Sequence, residues 1–206
     1  MKKRWWLPLA ILCIGAAAVW PLRDHLTAAG IASLSPRQTW LAAVFLWALY
    51  ALKGLSVAFP VAALEAVGGL LFPFPAALAV NLSGVLIAQV TPYLLGRRQQ
   101  ADLAALAARW PQLAAADPTL RPGRTVFLLR LAGAAPGDLF SFYLGAAGVP
   151  WGAYLAGGAL GSFPRVAAST LLGAALWEFG SPRFFLSLLP GAALTLLSLL
   201  LWRLWR

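Results

Sequence analysis

Residues 60–97 read PVAALEAVGGLLFPFPAALAVNLSGVLIAQVTPYLLGR. A short apolar stretch, 60–75, is bounded by prolines and interrupted by Gly68 and Gly69, and an unbroken apolar run follows from 76 to 96. Crossing the hydrocarbon core takes about 20 residues, so the first stretch is too short to span and the second is long enough. A gapless shift of 77 residues carries Gly68, Pro73, Gly84 and Gly96 onto Gly145, Pro150, Gly161 and Gly173. Ala76, Leu78, Ala79, Leu94 and Leu95 fall on Ala153, Leu155, Ala156, Leu171 and Leu172 under the same shift. Alanine and leucine coincidences are cheap in this composition; glycines and prolines recurring in order are not. Each unit reads as a short broken hairpin (60–75 and 136–150) followed by a full helix, with Pro60, Gly68, Pro73, Pro136, Gly145 and Pro150 as the breaks. One helix, 76–96, lies between the two hairpins, and if the linker does not cross they enter from opposite faces. That is an inverted repeat, the architecture in which transporters hold a substrate near the midplane between broken helices. The plainer alternative is that the glycines only let helices pack closely.

Composition agrees with a bilayer. The chain has 206 residues, of which 61% are hydrophobic and 11% charged, with sixteen bases against six acids. A soluble domain carries roughly 45–50% apolar and 25% charged residues, so disorder and an ordinary globular enzyme are excluded. One cysteine, Cys13, and one histidine, His25, exclude a disulfide scaffold and a multi-histidine zinc site. The bases punctuate apolar runs, as Lys2, Lys3 and Arg4, Arg97 and Arg98, and Arg203 and Arg206 do, which is the pattern of membrane flanks and not of phosphate readout on nucleic acid. Trp5, Trp6, Trp20, Trp40, Trp110, Trp202 and Trp205 fall near the same borders and read as interfacial anchors.

The expected fold is an all-α polytopic membrane protein with about five spanning helices, at 5–22, 39–59, 76–96, 151–177 and 184–204. Residues 1–58 hold the N-terminal helices, 59–177 the inverted-repeat core, and 178–206 the C-terminal helix. The first run, with its basic start and Ala16, Ala17 and Ala18, also fits a secretory signal; Trp20-Pro21 directly after it favours an uncleaved helix. The linker 97–125 carries Arg97, Arg98, Arg109, Arg121 and Arg124, with Leu103, Leu106, Trp110 and Leu113 on one face, and reads as a cytoplasmic interfacial helix. Five crossings then leave the basic N-terminus outside, in conflict with the positive-inside rule, so its orientation stays open.

Glu65 has no other acid within 35 residues on either side. A carboxylate at membrane depth costs about 2.5–3.5 kcal/mol on insertion scales, so it is expected to face a cavity or a partner, as a proton or headgroup site, unless it is wet or caps backbone N–H groups. Arg130 and Asp138 flank Gly133-Ala-Ala-Pro136, and a chain folding back there brings them together, as an ion pair or with the guanidinium free to hold an anionic headgroup bidentately. Arg165, in GSFPR from Gly161, is expected to break its helix and is the third intramembrane charge, or it snorkels to an interface. His25 reads as a solvated loop residue and Glu178 as a helix flank. No nucleotide loop, catalytic triad or metal spacing occurs, so no cofactor, metal or enzymatic activity is expected.

Phe59-Pro60, GGLLF at 68–72, YLLGR at 93–97, FLLR at 127–130, Pro136, Tyr143, Gly145, GSFP at 161–164 and LLG at 171–173 together resemble the DedA superfamily, the SNARE-associated Golgi protein or VTT-domain family, most nearly its Tvp-like bacterial branch. The resemblance covers 59–176. It implies two facing re-entrant hairpins, transbilayer movement of lipid as in several members, and essential roles for Glu65, Arg130 and Asp138. Two departures bear on the polar site: Pro73 stands where the family often has glycine, and Phe142 where an asparagine usually precedes the tyrosine. The expected function is a transporter or scramblase-like protein for a lipid with an anionic headgroup, with protons as a coupling ion. It is expected as a multi-pass protein of the inner or plasma membrane, with membrane lipids as its partners and no nucleic acid. A scaffold or assembly factor that transports nothing is the alternative.

Overall fold

The computed structural model describes residues 32–55, 60–99, 121–132 and 137–175, with a few positions between 182 and 193. The expected helices at 5–22 and 184–204, Pro136, and most of the linker lie outside the described residues. Six helices make up the described core: α1 (Thr39–Leu55), α2 (Val61–Leu71), α3 (Phe74–Gln99), α4 (Pro122–Ala132), α5 (Gly137–Ala146) and α6 (Trp151–Ala175). Of these, α3 is long and apolar enough to cross a membrane over Phe74–Arg98. At 1.5 Å per residue its 26 residues extend about 39 Å, past the roughly 30 Å of hydrocarbon. Large apolar side chains stand exposed on the outside, among them Trp40, Val44, Leu160 and Phe163.

The two short apolar stretches are each one continuous helix, not a hairpin. Helix α2 has 11 residues and α5 has 10, about 16 Å of rise at most. Gly68 and Gly145, expected as breaks, lie inside these helices, and the chain turns instead after each short helix, where a tight connection leads into the long helix. Helix α2 starts after an extended Pro60 and stops at an extended Phe72, whose N–H donates to the Gly68 carbonyl. Pro73 follows and its carbonyl begins α3 by accepting from Ala77. Helix α5 stops differently: the Gly148 N–H donates to Gly145 O, the Val149 N–H donates to Leu144 O, and Gly148 has φ +72°. That is a Schellman motif, and the left-handed residue it needs is supplied by glycine. Pro164 also departs from expectation. Helix α6 runs unbroken through Pro164 and Arg165, as α3 runs through Pro92. A proline removes one donor and costs about 3 kcal/mol in an isolated helix interior, which tertiary packing overrides here.

The repeat extends further than its glycines announced. Helices α1, α2 and α3 form one unit and α4, α5 and α6 the other. In the first, Gly84 of α3 lies against the Tyr50 ring of α1; in the second, Gly161 of α6 lies against the backbone of Phe127 on α4. The 77-residue shift carries Tyr50 to Phe127 as well as Gly84 to Gly161. The short helices follow a shift of 76 residues, because the Schellman turn holds one more residue than the Phe72–Pro73 turn. Gly145 is therefore the mate of Gly69 and not of Gly68.

Each short helix packs on the long helix of the other unit. A methyl group at Gly69 would strike the Thr170 carbonyl of α6, and one at Gly145 would strike the Tyr93 carbonyl of α3. Gly173 meets the Ala66 carbonyl and Gly96 the Phe142 carbonyl in the same reciprocal way. This exchange is an approximate dyad. A β-carbon at any of the four positions would hold the backbones apart, which is why glycine recurs there at the cost of helix propensity. Two apolar clusters result. One gathers Leu46, Tyr50, Leu64, Val67 and Val85 with Val166. The other gathers Tyr93, Val126, Leu129, Phe140 and Leu144 with Tyr154.

Candidate functional site

Between the clusters lies a cavity of about 250 Å³. Its apolar wall includes Val61, Val85 and Ala88 from the first unit and Leu129 and Phe140 from the second. Its polar wall is Lys53, Gln89, Arg130, Asp138, Ser162 and Arg165. Three cations thus face one carboxylate on the lining.

Glu65 is fully buried on α2, and both its carboxylate oxygens accept from Arg165 Nη1, at 2.7 and 3.0 Å. Arg165 itself is half exposed, so the pair runs from the protein interior to the cavity. The neighbouring polar cluster ties four helices together. Tyr50 donates its hydroxyl to Asn81 Oδ1 at 3.1 Å, and Asn81 Nδ2 donates to the Glu65 carbonyl at 2.7 Å and to Thr170 Oγ1 at 2.9 Å. All of these are buried, so each bond avoids the cost of an unmet polar group.

Arg130 and Asp138 do not pair with one another as expected. Asp138 is taken by Lys53 of α1, whose ammonium lies 2.6 Å from each carboxylate oxygen. Arg130 is buried and donates from Nη1 to the Gly137 carbonyl at 2.9 Å, and from Nη2 to Ser141 Oγ at 2.6 Å and the Tyr154 hydroxyl at 3.2 Å. Tyr154 in turn donates its hydroxyl to the Gln89 carbonyl at 3.0 Å, and its ring stacks on Tyr93 with centroids 4.3 Å apart. The hydrogen-bond partners of Arg130 are neutral, and its buried Nε has none. The geometric reason is the backbone. Gly137 and Ser141 lie one turn apart at the start of α5, where Ser141 Oγ donates to the Gly137 carbonyl at 2.8 Å, and these adjacent oxygens hold the guanidinium on the helix itself while Asp138 turns toward α1.

Lys53 was not among the residues singled out from the sequence, although its signal is there. It is a lone charge inside an apolar run, the same argument that singles out Glu65, and the 77-residue shift carries it onto Arg130. Ser141, Tyr154 and Gln89 give no such signal, because neutral polar residues are common on helices that pack together. Of the expected break residues, Pro60, Pro73 and Pro150 do stand at helix starts.

An all-helical described core with one membrane-length apolar helix, and charges buried between two dyad-related units, is compatible with a helical membrane protein that has an internal polar site. Residues 59–175 match the model of the VTT domain, more than half of the chain. The chain belongs to that family, the DedA/SNARE-associated Golgi protein family, which is membrane-associated. No curated protein and no solved structure matches it.

Proposed function

We infer that this protein is a multi-pass carrier of the inner or plasma membrane that moves a lipid bearing an anionic headgroup across the bilayer. The observation that supports this reading most is Arg130: a buried guanidinium at a cavity wall, held by neutral oxygens and with its Nε unmet. A lipid phosphate crossing hydrocarbon must exchange its water for donors or meet a severe desolvation cost, and Arg130 supplies charge and a planar fork together. The short helices, too short to cross, end within the bilayer and leave the polar cavity between them, as in carriers built from two inverted units. The polar lining consists of three cations, one hydroxyl, an amide and one paired carboxylate, a set suited to binding and not to bond cleavage. Glu65 is committed to Arg165, and we assign it as a lock between the units and not as the carrier of a coupling proton.

The test is a flip assay in reconstituted vesicles with fluorescent anionic and zwitterionic lipids. Anionic lipid is expected to move faster. Arg130→Ala should fall to background and Arg130→Lys, which keeps the charge and loses the fork, should retain part of the rate. Full transport per folded molecule in Arg130→Ala would remove the headgroup role and leave the scaffold reading.

A further inference from the structure

Lys53 and Arg130 are related by the dyad of the fold. The shift that carries Tyr50 onto Phe127 and Gly84 onto Gly161 carries Lys53 onto Arg130, so the two cations occupy the same turn of equivalent helices, packed in the same register on α3 and α6. Both are buried and both line the one cavity. Their partners differ. Arg130 closes on neutral oxygens of its own unit, whereas Lys53 reaches across to Asp138 of the other. Nothing in the first unit corresponds to Asp138, because a shift of 76 places Ala62 there. The carboxylate is a quarter exposed and faces the cavity with its two oxygens on the ammonium. A phosphate-type anion would offer Lys53 the same two oxygens.

We propose that Lys53 is a second anion station of this cavity, the dyad mate of Arg130, and that the Asp138 carboxylate holds it until a phosphate-type anion takes its place. This rests on the headgroup reading of the cavity. A ligand leaving Arg130 would then meet an equivalent cation in the opposite unit, and Asp138 would compete for the second station and return to it when the ligand leaves. The ligand chemistry is a phosphate monoester or free phosphate.

The full chain in detergent micelles is titrated with inorganic phosphate and with dioctanoyl phosphatidate, following thermal stability and binding heat. Asp138→Asn empties the station while keeping the shape of the side chain, and it should bind phosphatidate about tenfold more tightly than the parent, the effect of one regained charged hydrogen bond. The K53M/D138N pair leaves no unpaired buried charge, so it should fold, yet it should lose the whole gain. K53R/D138N should keep most of it. A gain with inorganic phosphate as well would show that the anion alone is recognised; a gain with phosphatidate only would show that the lipid is. Equal affinity in D138N and K53M/D138N would overturn the station and make Lys53–Asp138 a structural tie. Should the parent bind phosphatidate but move no lipid in vesicles, the carrier reading fails while the station stands.

Discussion

The two units share one backbone plan and carry different charges on it. In the first, α2 presents Glu65, a carboxylate, to Arg165. In the second, the equivalent position of α5 is Ser141, which offers Arg130 a hydroxyl. Arg165 has no cationic counterpart in the first unit, where the 77-residue shift of the long helices places Ala88. The scaffold is thus symmetric and the electrostatics are not. One guanidinium is neutralised by a buried carboxylate and holds the units together; the other is solvated by dipoles and keeps its charge available. A buried ion pair gives little net stability, but removing one partner strands the other at a cost of about 3–5 kcal/mol when both are fully buried. A cation held by neutral oxygens pays no such penalty when an anion arrives.

The largest expected effect comes from abolishing that difference. Ser141→Glu gives Arg130 the partner that Arg165 already has, and it should reduce anionic lipid movement to background while the protein still elutes as a folded species in detergent. Transport at the parental rate in this variant would show that a free Arg130 charge is not what the cavity uses. Next come the dyad-related glycines. Gly69→Ala and Gly145→Ala each drive a methyl group into a backbone carbonyl of the other unit. Each should cost about 3 kcal/mol, the upper end for overpacking because backbone cannot step aside as a side chain can. Equal losses in chemical denaturation of the two variants would support the exchange of short helices. A loss in one alone would break the symmetry.

Glu65→Gln should be milder. Arg165 is half exposed and can turn to water or headgroups, so the expected loss is about 1–2 kcal/mol. If Glu65 is a lock, any response of transport to an imposed pH gradient survives in Glu65→Gln; disappearance of that response would return the proton role to this residue. The smallest effect is at the turn that ends α5. Nothing crowds Gly148, so Gly148→Ala should cost only the left-handed backbone penalty of about 1 kcal/mol, seen as a shift of the denaturation midpoint without loss of transport.

Much of the scaffold is legible in the order of the residues alone. Apolar length separates α2 and α5 from α3 and α6, and the prolines mark where helices begin. The ordered glycines reveal two units. What misleads is treating glycine as a breaker: Gly68, Gly69 and Gly145 sit inside helices because a partner side chain or backbone presses on them, and an isolated stretch of sequence does not show that partner. The same limit hides the difference between the 76- and 77-residue registers, which comes from one residue in the turn at Gly148.

The sequence by itself determined the helical class, the membrane setting and the doubling of the unit, and it marked Glu65 and Arg130 as charges set in apolar runs. All of these follow from period, length and the cost of a charge in an apolar run, which act within a segment. Only the tertiary structure decided who meets whom. The Lys53–Asp138 and Glu65–Arg165 pairs join residues 85 and 100 positions apart, on helices of opposite units. Charge alone would have allowed Arg130 to take Asp138. The docking of each short helix on the other unit's long helix fixed the distances, and at ion-pair range distance selects the partner.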